Sequence, residues 1–307
     1  MFSKTITIAT RQSPLALWQA QFVKEALEAH YPFLTINLLP LLTSGDLKLG
    51  AVDTPFSKDL FVKELESALL DKRADLAVHS MKDVPAIFPE GLALAAICRR
   101  GDPRDAFVSE TYDNFFDLPE GARIGTSSLR RCSQLKSLRM DLEILPLRGN
   151  INTRLNKLHA GEFDAIILAA VGLARLQLEE HLKHCFSTTQ FLPAAGQGAL
   201  GIECRSDDHE LIKLVEVLSD PMTHACVTAE RAMTSELGGN CDVPIAAFCE
   251  WDDDENVLSL RGLVGTPEGD IILHGAAKGP LNLPQNLGNT VAQILCNEGA
   301  MEVLSPR

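Results

Sequence analysis

A lysine and an aspartate stand side by side in VHSMKDVP (Val78–Pro85), just past an apolar run that reads as a strand. Open α/β sheets bind ligands at the carboxyl ends of their strands, so Lys82 and Asp83 sit where a substrate could be held and protons moved. A cysteine follows two glycines in LGGNCDVPI (Leu237–Ile245), ahead of another strand. The glycines free the backbone around Cys241, and a thiolate is a nucleophile. Hydroxyls and arginines recur together in ATRQSP (Ala9–Pro14) and GTSSLRR (Gly125–Arg131), each at a strand-to-helix corner. There, free N–H groups and the positive end of the helix dipole favour an anion. Helix capping accounts for Ser13 and for Ser127 or Ser128, but it needs none of Arg11, Arg130 and Arg131. Two such corners on two similar domains imply an anionic ligand held in a cleft between them. Taken singly, each feature has a plainer reading: a solvated turn for Lys82 and Asp83, and a buried small hydrophobe for any one cysteine.

Charge sharpens the picture. The 307 residues carry 28 Lys and Arg against 41 Asp and Glu, a formal net charge of −13. That balance argues against nucleic acid or an anionic membrane as a partner. Between Gly121 and Ala160, however, eight basic residues face only Asp141 and Glu143, whereas from Cys241 onward ten acidic residues face three basic ones. Screening over about 8 Å lets a ligand feel its neighbouring arginines more than a distant acidic surface. A polyanion site in an acidic chain is therefore consistent, although a solvated helix face would give the same count.

The elements that must position these residues follow from periodicity. Lys4–Thr10 alternates as a strand, and Ser13 with Pro14 opens a helix to about His30 whose face carries Leu15, Trp18, Phe22 and Ala26. A strand at Thr35–Leu42, a helix near Leu60–Leu70 and strands at Asp75–Val78 and Leu92–Ile97 continue a β-α-β-α-β alternation. The pattern restarts with a strand at Arg123–Thr126, a helix to about Leu138, a strand at Leu142–Leu147, a helix at Asn152–His159 and a strand at Ala165–Ala169. Past Gly196 come helices at about His209–Leu218 and Pro221–Leu237, strands near Val243–Glu250, Val257–Val264 and Asp270–His274, and a helix at Pro284–Asn297. The reading is α/β: two similar domains with mostly parallel sheets, joined near Arg99–Pro103, plus a small α+β C-terminal domain. The expected domains are residues 1–98 with 199–216, residues 104–192 and residues 221–307.

Eight cysteines scatter without a CxxC or a zinc-knuckle spacing, so no metal site is expected and the thiols read as reduced and mostly buried. The longest apolar stretch, near Ala165–Ala174, is about half the ~20 residues of a membrane span, and the N-terminal residues lack a continuous apolar signal core. The expectation is a cytoplasmic protein without a membrane partner.

In order along the chain, ATRQSPLALWQA, FVKELE, DLAVHSMKDVP, RIGTSSLRR, LRGNINTRL, AAVGLARL, LPAAGQGALGIE and GGNCDVPI closely resemble the porphobilinogen deaminase (hydroxymethylbilane synthase) family over about residues 9 to 245. The resemblance implies two periplasmic-binding-protein-like domains with a cleft between them, and a monomer. It implies a transferase of haem biosynthesis that joins four porphobilinogen molecules head to tail, releasing ammonia each time, to give hydroxymethylbilane. It also implies a dipyrromethane primer bound by a thioether to Cys241, and a catalytic carboxylate at Asp83. By motif match, Ser80, Lys82, Thr126, Ser127, Ser128, Arg130 and Arg131 hold the cofactor. Arg11, Ser13, Lys58, Arg148, Arg154 and Arg175 meet the substrate. The arginine excess then has a reason, because every pyrrole carries an acetate and a propionate and guanidinium pairs with carboxylate bidentately. Arg123, Lys136, Arg139 and Lys157 match no family ligand and read as surface charges, and His79 reads as a structural histidine.

Two departures stand out. The family's GGKG is here FSKD (Phe56–Asp59), which keeps Lys58 but loses three glycines and implies a stiffer loop. Asn240 replaces a frequent glycine, a change that left-handed backbone tolerates, while Asp242 by itself would raise the pKa of the neighbouring thiol. Two other classes compete with the deaminase reading. A non-enzymatic two-domain anion clamp needs neither Asp83 nor a privileged thiol. A thiol-dependent redox or acyl-transfer enzyme needs an activating histidine or a resolving cysteine near Cys241.

Overall fold

The computed structural model describes residues 4–48, 59–85, 87–239 and 243–305. From the N-terminus the chain forms β1 (Lys4–Arg11), α1 (Pro14–His30), β2 (Leu34–Leu41), the short α2 (Ser44–Lys48), α3 (Asp59–Leu70), β3 (Leu76–Ser80) and β4 (Leu92–Ile97). It continues through β5 (Asp105–Val108), β6 (Arg123–Gly125), α4 (Leu129–Leu138), β7 (Glu143–Leu145), α5 (Ile151–His159), β8 (Ala165–Ala169), α6 (Ala170–Arg175) and β9 (His184–Cys185). Then come β10 (Leu200–Arg205), α7 (His209–Val215), α8 (Pro221–Glu236), β11 (Ile245–Asp252), β12 (Val257–Gly265), β13 (Ile272–Gly279), α9 (Pro284–Asn297) and α10 (Ala300–Leu304).

The chain divides into two units, Met1–Gly101 with Gly198–His224, and Asp102–Gln197 with Ala225–Arg307. The first holds a five-stranded sheet in the order β2-β1-β3-β10-β4, with β1 parallel to β2 and β3, and β10 antiparallel to both β3 and β4. The second repeats that plan as β7-β6-β8-β5-β9, with β6 parallel to β7 and β8, and β5 antiparallel to β8 and β9. It also carries an antiparallel sheet, β11-β12-β13, packed on α8 and α9 through Met233, Leu260, Val291 and Leu295. The fold is therefore mixed α/β with a small C-terminal sheet-and-helix part. Among the described residues no helix is long and apolar enough to cross a membrane.

Both faces of each five-stranded sheet are covered. In the first unit, Ile6, Ile8, Val23, Leu27 and Ile202 form one core, while Ala9, Leu65, Leu69 and Ala77 form the other. Such double covering explains the continuous apolar runs of β3 and β8, whose residues are buried on both sides. One sequence expectation needs correcting. The face of α1 that enters the core carries Ala16, Ala20, Val23 and Leu27 with Gln19, whereas Phe22 is 42% exposed. Trp18 and Phe22 stack on each other at 5.5 Å outside it. Small residues let the helix lie close on the sheet, so the bulkier stripe was the wrong guide to burial.

Candidate active site

In the first unit, the sheet gathers five of the expected residues, Arg11, Ser13, Ser80, Lys82 and Asp83, at one end. β1 and β3 run parallel with Ala9 opposite Ala77, so Arg11 and Ser80 leave the sheet at the same carboxyl end. Ser13 caps α1 there, its hydroxyl accepting from the Ala16 N–H, and Gln19 Nε2 donates to Ser80 Oγ at 2.8 Å, tying α1 to β3. Lys82 and Asp83 follow in a single 3-10 turn, Met81–Asp83, both partly exposed. The turn is pinned to β10: Met81 N–H donates to Ala199 O at 3.0 Å, and the Met81 side chain is 1% exposed. A Cβ on Gly201 would meet its sulfur at 2.4 Å, so a larger residue there would have to displace the Met81 side chain that underlies the turn.

Arg11 is held rather than loose. Its guanidinium donates to both oxygens of Asp46, at 2.5 and 3.3 Å, and lies 4.2 Å over the Phe61 ring. Burial pushes the Asp46 carboxyl up, but Arg11 and Thr43 outweigh it and hold it below its ordinary value. Beneath the same edge, His79 Nε2 meets Glu203 Oε2 at 2.8 Å, with both side chains almost wholly buried, in keeping with a structural histidine.

In the second unit, β6, β7 and β8 are parallel neighbours, and their carboxyl ends lead to Thr126–Ser128, to Arg148 and, through α6, to Arg175. Ser127 Oγ donates to Leu147 O at 3.2 Å and accepts from Leu147 N–H at 3.0 Å, locking the two corners together. Thr126 Oγ1 accepts from Ser128 N–H, and Ser128 caps α4 without using its own hydroxyl. Arg154 folds back so that Nε donates to Gly149 O at 2.8 Å, while Asn150 caps α5 through Thr153 N–H.

Arg130 and Arg131 are buried, 5% and 6% exposed, against one wholly buried carboxylate. Arg130 Nη1 donates to Asp105 Oδ2 at 2.7 Å and to Leu192 O at 2.7 Å. Arg131 donates to Asp105 Oδ1 through Nε at 2.9 Å and Nη2 at 2.6 Å, and to Ile167 O through Nη1 at 2.9 Å. Burial alone would raise the Asp105 carboxyl, but the two guanidiniums overcome it and keep it ionised, well below the usual carboxylate range. Two cations and one anion leave a net positive charge in the first turn of α4, where the helix dipole is positive as well. Among the residues read as surface charges, Arg123 and Arg139 form partly exposed pairs with Asp164 and Asp141.

Lys58, Asn240, Cys241 and Asp242 lie outside the described residues. The other seven cysteines are free thiols, four of them buried. Burial pushes the thiols of Cys132 and Cys185 up and that of Cys204 up to about 11, which suppresses the reactive thiolate at these three. Sequence reasoning missed Gln19, Asp46, Asp105 and Glu203. Gln19 and Glu203 fall inside the motifs ATRQSPLALWQA and LPAAGQGALGIE, whereas Asp46 and Asp105 fall in none; the partner of each is set by a tertiary contact that the sequence does not display.

Comparison with known proteins gives the pattern a family. Residues 6–213 match the model described as porphobilinogen deaminase, dipyromethane cofactor binding domain, and residues 224–297 match porphobilinogen deaminase, C-terminal domain. Similar solved structures include a putative methionine-binding lipoprotein from Bacillus subtilis, 18% identical, with 69% of this chain and 88% of that one covered and a TM-score of 0.45. Another is a nutrient-binding protein from Burkholderia cenocepacia bound to methionine, 14% identical, with 68% and 89% covered and a TM-score of 0.43. The first family model spans both five-stranded sheets with their arginine and serine corners, the second takes up the antiparallel sheet that follows, and the chain accordingly belongs to the porphobilinogen deaminase family, with a dipyrromethane cofactor-binding domain.

Proposed function

We propose that this chain is a hydroxymethylbilane synthase, joining four porphobilinogen molecules head to tail with release of one ammonia at each condensation. The observation that supports it best is the carboxylate of Asp83 on the hydrogen-bonded turn after β3, beside Lys82 and on the same sheet edge as Arg11 and Ser13.

The donor set fits a polycarboxylate cofactor. Ser80, Lys82, Thr126, Ser127, Ser128, Arg130 and Arg131 would hold its acetates and propionates; the uncompensated positive charge beside Asp105 supplies the field. When bound through Cys241, the dipyrromethane supplies the pyrrole carbon from which the product chain grows. Arg11, Arg148, Arg154 and Arg175 would bind the carboxylates of incoming porphobilinogen. Arg11, already oriented by Asp46 and Phe61, meets a substrate with little ordering left to do.

Loss of ammonia makes the substrate ring electron-poor, and positive charge develops on pyrrole nitrogen. Asp83 accepts hydrogen bonds from those N–H groups and stabilises that charge. At about 4 Å such a pair is worth on the order of 4 kcal/mol at an effective dielectric of about 20, against about 1 in water. Asp83 also hands a proton to the departing amine and takes one back from the new ring junction.

The test is turnover of porphobilinogen by purified protein, followed by chromatography of the tetrapyrrole. Asp83→Asn should keep the cofactor yet nearly stop elongation. An unchanged rate in that variant removes Asp83 from the mechanism, and no tetrapyrrole from the wild type overturns the reading.

A further inference from the structure

We infer that Glu110, His159 and His181 form a site for one divalent transition-metal ion of the zinc class, built on the second unit away from the proposed chemistry. These residues are 49 and 22 positions apart in the chain. The fold gathers them: Glu110 lies two residues past β5, His159 ends α5, and His181 ends the 3-10 turn Glu179–His181. One ligand atom from each lies within 4.8 Å of the other two.

The contacts point to a shared centre. His159 Nε2 is 3.0 Å from Glu110 Oε1, and the two imidazole rings lie 5.5 Å apart at 48°. Separate pairs, His159 with Glu110 and His181 with Glu180, would account for the charges, but they do not require the two imidazoles to meet, and the ligand atoms of Glu110, His159 and His181 nonetheless converge within 4.8 Å. Tetrahedral zinc with bonds of about 2.0–2.2 Å keeps its ligand atoms roughly 3.3–3.5 Å apart. Closing the present spacing needs only small rotations of side chains that are not locked in a core. His159 is 43% exposed, Glu110 51% and His181 23%, so an ion reaches them directly from solvent.

Ligand type narrows the ion. Two imidazoles and a carboxylate suit zinc, copper or nickel, whereas magnesium and calcium prefer oxygen alone. Glu180 adds a second carboxylate, with Oε1 3.6 Å from His181 Nε2. With neutral imidazoles the cluster carries two negative charges, matching a divalent cation. Three protein ligands leave room for water.

Topology separates this cluster from the arginine corners. β5 runs antiparallel to β8, with Val108 opposite Ile166 and Asp105 opposite Ala169. Residues just past Val108 therefore lie at the amino end of β8, and Ser109 Oγ donates to Asp164 O there at 2.6 Å. Thr126, Arg148 and Arg175 follow the carboxyl ends of the parallel strands. A bound ion would cross-link the β5 exit, the end of α5 and the turn after α6, stabilising the folded unit by linkage.

The test is calorimetric titration of the full-length, cofactor-loaded protein with Zn2+, comparing wild type with His159→Ala, His181→Ala and Glu110→Gln. Because the cysteines can also bind zinc, Co2+ provides a second readout: imidazole and carboxylate ligands give visible d–d bands, whereas thiolate ligands add near-ultraviolet charge transfer. The expected result is one equivalent whose affinity falls at least ~10-fold in each variant, with d–d bands lost in His159→Ala and turnover unchanged. Equal stoichiometry and affinity in wild type and the histidine variants, or a Co2+ spectrum of thiolate type alone, would overturn the assignment.

Discussion

Asp105→Asn tests how the arginine corner of the second unit is held. Asp105 is 0% exposed and accepts from Arg130 at 2.7 Å and from Arg131 at 2.6 and 2.9 Å. An amide of the same size keeps one carbonyl acceptor but removes the charge, leaving two buried guanidiniums without an anion. Breaking a buried ion pair by removing one partner costs about 3–5 kcal/mol. For domains of 150–250 residues each kcal/mol lowers the melting temperature by about 2–4 °C, so a drop of about 6–20 °C is expected. The assay is thermal melting followed by circular dichroism at pH 7, with wild type and variant compared at equal cofactor occupancy. The sign with pH follows from the lowered native pKa. Asp105 stabilises the fold fully above the ordinary carboxylate value of 3.8, and that stability is lost as pH falls through and below it. The gap between wild type and Asp105→Asn should therefore narrow in acid. Replacing the whole triad, with Asp105→Leu, Arg130→Met and Arg131→Met together, should cost less than Asp105→Asn alone, since no buried charge is left uncompensated. A melting shift below about 2 °C for Asp105→Asn, or a triple variant less stable than it, would refute this reasoning.

Two further outcomes are expected. Arg148→Ala should bind the cofactor but accumulate enzyme carrying short chains, visible as a ladder of intact masses; a wild-type distribution would count against a substrate role for Arg148. Gly149→Ala should destabilise the chain by about 1–3 kcal/mol, because Gly149 has φ +119° and a Cβ there would lie 2.7 Å from Thr153 Cγ2. Its carbonyl also seats Arg154, so turnover should fall more than cofactor content, and an unaltered melting curve would contradict the strain argument.

Much of the fold is written in local patterns. The alternation of KTITIAT, the Ser13-Pro14 start and the apolar run of Ala165–Ala169 correspond to β1, α1 and β8, and Leu92–Ile97 and Pro284–Asn297 match β4 and α9 residue for residue. β5 and β10 escaped notice: DAFV is only four residues long and lacks alternation, while LGIECR alternates but directly follows the glycine-rich AAGQGA, which masks its start. Each joins its sheet antiparallel through partners far along the chain, so their placement depends on tertiary pairing. The same physics limits the site. Arginines beside serines at a helix start are legible as anion chemistry, but that Arg130 and Arg131 share Asp105, 25 and 26 residues earlier, is decided by packing. So is the choice of Ala16 and Ala20 over Trp18 and Phe22 as the buried face of α1. The histidine–carboxylate cluster at Glu110, His159 and His181 is invisible in sequence for that reason too: metal spacings are recognisable only when ligands share a turn or a helix.

The attachment of the primer is the central claim, and intact-protein mass spectrometry addresses it most directly. Purified wild-type chain should carry the added mass of a two-pyrrole unit, mapped by peptide fragmentation to Cys241. Cys241→Ser should have the unmodified mass and no turnover. A bare Cys241 in active enzyme, or normal tetrapyrrole synthesis by Cys241→Ser, would contradict the account.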